Sequence, residues 1–184
     1  MDKLILLSEL EQYNANHLLF VQSLQSLDNE TLQSKKEQGS WNTLECVEHL
    51  KRYGDFYLPV ISDALHKAKD KDTNGFISGW LGDYFAKAML PGSNKMNTFK
   101  SKNPIGEHIE IGVIDQFLNQ LYQMAQLLET AKSKDLSSIK VKTTIPLAKI
   151  NVGDALRVVI YHNERHIKQI QDIINTYKTG TVVK

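Results

Sequence analysis

From Val152 to Tyr177 the chain places Val152, Ala155, Val159, His162, His166, Ile170, Ile173 and Tyr177 at steps of three or four. A stripe of that period and length specifies an amphipathic helix with one buried face. Two of its positions point imidazoles where leucines belong. His162 and His166 stand one turn apart on the same side, with Cβ atoms about 6 Å from each other, so one metal ion could reach both. A buried imidazole needs partners for its ring nitrogens, because each polar group left unpaired costs about 1–3 kcal/mol. A metal ion satisfies both rings at once; backbone carbonyls around ordinary core histidines are the alternative, and spacing alone leaves both open. The zinc-peptidase pattern H-E-x-x-H does not apply, since Asn163 stands where that motif carries its general base. Glu164 turns roughly 200° away from His162 and cannot replace it. Arg165 lies about 80° from the histidine axis, toward solvent, whereas Gln169 lies closer to it and is a candidate to support a ligand or to bind substrate.

The same periodicity recurs in three more long segments. One helix is expected from about Asp2 to Leu27 on Leu6, Leu10, Tyr13, His17, Phe20, Leu24 and Leu27, with His17 read as a packed histidine rather than a ligand. A polar connection, Asp28 to Ser40, follows. The second helix starts at a capping box, Asn42 with Glu45, entered by Trp41. Leu44, Val47, Leu50, Tyr57, Ile61 and Leu65 form its ridge, with Cys46, His49, Tyr53, Phe56 and Val60 on a parallel track. Pro59 should kink this helix without ending it, because the ridge stays in phase. The third runs from about Val113 to Lys132 on Ile114, Phe117, Leu121, Met124 and Leu128. Alternation at Ile139, Val141, Thr143 and Ile145 suggests a short extended segment before Asn151, with Asp154 three residues on, caps the last helix. The last six residues should fray. The expected fold is therefore all-α, a four-helix bundle occupying residues 1–184 as one domain.

Between the second and third helices, residues 70–112 are far more chain than a short helix connection requires, which suits a crossover. Phe76, Ile77, Trp80, Leu81, Tyr84, Phe85, Ala88 and Met89 predict a short amphipathic helix there, ended by Pro91-Gly92. It is read as a packing element across one end of the core in preference to a lid. No acidic residue occurs from Tyr84 to Gly106, while Lys87, Lys95, Lys100 and Lys102 do, a run that is a solvated loop or, less often, a seat for an anionic ligand.

With 22 basic and 21 acidic side chains the formal charge is +1, no footprint for nucleic acid or an anionic membrane. One cysteine, Cys46, excludes an internal disulfide framework and fits a reducing, cytoplasmic setting. The apolar run near Met1 is too short for a signal sequence or a membrane span.

If the second and fourth helices are neighbours, His49 joins His162 and His166. Three nitrogen ligands with an open position make a working metal site rather than a structural one, which with zinc takes four protein ligands, mostly thiolates. Trp41, Glu48-His49-Leu50 and His162-Asn163-Glu164-Arg165-His166, in this order and helical phase, resemble the DinB-like superfamily of bacterial four-helix bundles over nearly the whole chain. The resemblance implies an up-down-down-up topology with the crossover between helices 2 and 3, and a divalent ion held by His49, His162 and His166. It also implies activity as a metal-dependent enzyme on a small molecule, either a transferase joining a low-molecular-weight thiol to an electrophile or a hydrolase of unspecified substrate. Zinc or nickel would come before iron or copper. Catalysis would run through a metal-bound water or thiol, since no protein general base emerges: Glu45 belongs to the capping box, and Cys46 reads as core. Tyr53 and Gln169 are the candidates for substrate or support contacts. A homodimer is the expected assembly, and a non-catalytic metal-binding or dimerisation bundle is the alternative to an enzyme.

Overall fold

The computed structural model describes residues 1–70, 75–92 and 98–180. Lys95 and the last four of the six residues expected to fray lie outside them. Helix α1, Lys3–Leu24, begins where the Asp2 carboxylate accepts the backbone N–H groups of Leu4 and Ile5. Its buried face carries Leu6, Leu7, Leu10, Asn14, His17, Val21 and Leu24. Tyr13, Phe20 and Leu27, expected on this face, are only half-buried. The Asp28–Ser40 connection contains a helical turn, α2, Asn29–Gln33, which Asp28 caps and which seats Leu32 in the core. Sequence periodicity cannot register an element this short.

Helix α3, Thr43–Lys67, carries both halves of the capping box: Asn42 Oδ1 accepts from the Glu45 N–H, and the Asn42 N–H donates to Glu45 Oε2, each at 2.8 Å. It continues through Pro59, which sits on the solvent side, where water can satisfy the freed Asp55 carbonyl. The crossover contains α4, Trp80–Met89, and a 3-10 turn at Lys100–Lys102. Helix α5 spans Val113–Ala131. Strands β1, Lys140–Lys142, and β2, Lys149–Asn151, then form a small antiparallel hairpin that places Val141 opposite Ile150, both buried. Helix α6 is Val152–Lys178.

One expected cap needs correction. Asn151 occupies the N-cap position of α6 but makes no side-chain cap bond; its Nδ2 donates to the Ile77 carbonyl at 3.0 Å. Asp154 does not reach back to Asn151 either. It accepts from the Ser78 hydroxyl, from the Gly79 N–H at 2.9 Å and from Arg157 Nη1 at 3.0 Å, while Arg157 Nη2 meets Asp83 at 3.0 Å. The residues that resemble a local cap instead bind α4 to α6.

Side-chain contacts give the topology. Lys132 of the turn after α5 meets Glu11, and Gln25 meets Asp115, so α1 and α5 run antiparallel. Tyr13 packs on Tyr161 and His17 meets Glu164, so α1 and α6 run parallel. Leu44, Val47 and Leu50 share a core with Val113, Ile114 and Phe117, whereas Ile61 and Leu65 share one with Met124 and Leu128, so α3 and α5 run parallel. The bundle is up-down-down-up, with α3 beside α6. Two apolar clusters fill it, one around Leu10, Ile61, Leu65 and Leu156, the other around Val21, Val47, Phe117 and Ile170. Between them Asn14, His17, His49, His162 and Asn163 are buried polar residues, and the candidate site belongs to this layer.

Candidate metal centre

His49 comes from α3 and His162 and His166 from α6, and one ring nitrogen of each lies within 4.8 Å of the other two. His49 is 1% exposed and His162 7%, so little of either ring meets bulk water. The Nε2 atoms of His49 and His162 face each other at 3.1 Å. His49 Nδ1–H donates to the Lys102 carbonyl at 2.8 Å, and His166 Nδ1–H donates to Gln169 Oε1 at 2.9 Å. A neutral imidazole carries one N–H, so a proton held on Nδ1 leaves a bare lone pair on Nε2. Two of the three rings are thereby fixed in the tautomer that ligates through Nε2, by the kind of outer partner a metal-bound histidine ordinarily has.

The donor set fits a divalent ion. Nitrogens about 2.0–2.1 Å from a tetrahedral ion stand about 3.3–3.4 Å apart, near the spacing of His49 and His162. Burial lowers the His49 pKa to about 4 and the His166 pKa to about 3, and it holds His162 well below the usual histidine range, with the neighbouring imidazoles acting in the same direction. All three rings are neutral at pH 7, so no proton competes for their lone pairs. Three histidines without a fourth protein ligand leave a coordination position for another molecule.

A family comparison matches residues 12–170 to the DinB superfamily. The chain belongs to the DinB superfamily. No curated protein and no solved structure matches it. Within this DinB fold the histidines line a cavity of about 890 Å³ between α3, α4 and α6.

The other singled-out residues of the DinB chain fall into distinct places. Tyr53 lies in the cavity wall with its ring 4.5 Å from that of His162 and 5.0 Å from that of His49; burial pushes its hydroxyl pKa up to about 12. Gln169 is the acceptor for His166. Glu45 is structural: it ion-pairs with Lys35 at 2.9 Å, accepts the Gly106 N–H at 2.7 Å and closes the capping box. Cys46 is fully buried, and burial drives its thiol pKa upward, which leaves it inert. His17 is buried against α6, with Nε2 3.0 Å from Glu164, away from the cluster. Arg165 was expected to face solvent. It lines the cavity instead, and its Nη1 donates to the Ala88 carbonyl at the end of α4.

Among the crossover lysines, Lys87 pairs with Asp83 and Lys102 donates to the Arg52 carbonyl; neither lines the cavity, whose cationic residues among the described ones are Lys36, Arg165 and Lys168. Two contributors were not foreseen as such. The Lys102 carbonyl is a backbone group 53 residues from the ring it orients. Trp41, which packs at 4.6 Å on His49 and 5.7 Å on His166, was legible as the residue entering α3 and as part of the family resemblance, not as a wall of the cluster.

Membrane placement has no support from helix length: no helix among the described residues is long and apolar enough to cross a bilayer.

Proposed function

We propose that this DinB protein is a divalent-metal-dependent enzyme that transfers a low-molecular-weight thiol to a small electrophile. The observation that carries the reading is a trio of neutral imidazoles, two with Nε2 freed for ligation, on the wall of a substrate-sized cavity. His49, His162 and His166 would hold the ion, zinc or nickel before iron or copper, and leave its remaining position facing that cavity. A bound divalent ion supplies acidity, lowering the pKa of a coordinated thiol or water so that the nucleophile exists at neutral pH. The protein's own part is to orient and to dry. Lys102 and Gln169 fix two rings, Trp41 and Tyr53 cover the cluster, and Tyr53 stays a neutral hydroxyl donor at pH 7. In the transfer a carbon–sulfur bond forms, the bond from that carbon to its leaving group breaks, and the thiol proton passes to solvent.

The test uses untagged, metal-loaded protein with a monochlorobimane-type acceptor and a panel of small thiols. Turnover that requires thiol, stops on chelation and returns with metal is the expected result. Product formed equally well without thiol moves the reading to a hydrolase, and absence of metal-dependent turnover overturns the enzyme.

A second reading, assembly as a homodimer, is favoured by one face of α4 and the chain before it. Ile77 is 76% exposed, Trp80 83% and Tyr84 64%, and none of the three carries charge. A second copy meets little long-range repulsion from a chain of formal charge +1. Sedimentation of the native chain should give a dimer that Trp80→Glu converts to monomer; a monomeric native protein rejects it.

A further inference from the structure

The cavity has two chemically different ends, with the histidines between them. Helices α3 and α6 run antiparallel beside it: Tyr53 packs on His162, whereas Trp41, before α3, packs on His49 and His166. Toward the start of α6 the lining is mainly apolar, Tyr53, Tyr57, Val158, Val159 and, from α4, Phe85 and Met89, with Thr143 and Thr144 of the hairpin turn beside Tyr57, whose hydroxyl accepts the Thr144 N–H. The rings of Tyr53 and Tyr57 are nearly parallel, 13° apart, and a turn apart on α3. Toward the end of α6 the lining is more polar and carries both signs of charge, Lys36 and Glu37 from the loop before α3 and Lys168, Gln169 and Asp172 from α6, beside Trp41 and Ile173. At a rise of about 1.5 Å per residue, Val158 lies about 6 Å along the axis from His162, room for a ring beside the cluster.

We infer that the apolar end is the acceptor subsite, and that the electrophile this DinB protein takes carries a ring-sized apolar group. It rests on the transferase reading for its chemistry, though not for its geometry. An apolar group set between Tyr53, Phe85 and Met89 is removed from water, which favours it in proportion to the area buried. The opposite end offers hydrogen-bonding groups and charges of both signs that suit a polar co-substrate and would leave an apolar one beside unsatisfied groups. The two reactants therefore enter from opposite sides and meet at the histidines. Phe85 and Met89 set how large an acceptor fits.

Binding of N-phenyl-1-naphthylamine, a neutral two-part aromatic fluorophore, tests the subsite without any reaction. The native protein should bind it at one site, equally with metal and with chelator present. Met89→Lys and Phe85→Ser should each weaken binding at least tenfold, with thermal unfolding showing that at least one variant is folded. Trp80→Ser, on the exposed face of α4, should leave binding unchanged and so exclude that face as the site. Where turnover is observed, Met89→Lys should raise the acceptor KM at least tenfold and leave the thiol KM unchanged. Failure of the transferase reading would appear as missing turnover with the probe data intact. Binding that survives in Met89→Lys, or is lost in Trp80→Ser, overturns the acceptor subsite.

Discussion

Gln169 shows how much the centre would depend on a residue that is not itself a candidate ligand. Its carbonyl accepts the His166 Nδ1 proton at 2.9 Å and so aims Nε2 at the other rings. Gln169→Leu removes the acceptor while keeping the bulk, and metal affinity should fall about 10–100-fold, as is usual when the outer partner of a ligand is lost. Competition with a chromophoric chelator measures it; unchanged affinity would show that the bond does not orient the ring. The depressed histidine pKa values make a second prediction, for metal-free protein. Below about 6.5, the ordinary histidine value, the unfolded chain takes up protons that folded His49 and His166 refuse until about pH 4 and 3. Stability is thus lost as pH falls from 6.5, at up to about 1.4 kcal/mol per pH unit for each such ring. In chelator, the urea midpoint should be lower at pH 5 than at pH 7, and His49→Gln with His166→Gln should reduce the difference, with His162 retaining its share. At this scale the sequence made the candidate ligands legible, because His162 and His166 interrupt an apolar stripe. It could not show the Lys102 carbonyl, since backbone groups have no signature.

Helix α4 illustrates what is and is not readable about an element. Its existence follows from the spacing of Leu81, Tyr84, Phe85, Ala88 and Met89, but the buried side is made by Gly82 and Ala86, with Trp80 and Tyr84 left outside. Apolar residues too numerous for one face do not tell which of them face inward. The glycine that weakens α4 as a helix is what lets it dock: a Cβ at Gly82 would stand 2.2 Å from Asp154 Oδ2. Asp154 cannot yield, being wholly buried and bonded to Ser78, Gly79 and Arg157. Gly82→Ala should therefore destabilise the protein by about 1–3 kcal/mol, as overpacking does, despite the better helix propensity of alanine. Chemical denaturation reads this directly, and a stabilised variant would contradict the packing account. The same network explains the misread cap: Asn151 and Asp154 have cap spacing, and distant partners from the crossover claim both side chains.

Across the whole molecule the bundle was legible because four long stripes, one with a capping box, leave few ways to bury their faces. The small hairpin was legible only as one extended segment, since β2 is three residues that run directly into α6. The parallel placement of α1 with α6 and of α3 with α5 brings α3 beside α6, which is what converts histidines 113 residues apart into one cluster. Two apolar cores flank the polar layer, so the cluster sits at mid-bundle, where an unpaired imidazole is costly and a metal ion relieves it. Elemental analysis of the chain purified without a histidine tag tests this most directly. The account predicts close to one divalent ion per chain, lost in His162→Ala; full occupancy in a variant with His49, His162 and His166 all replaced by alanine would contradict it.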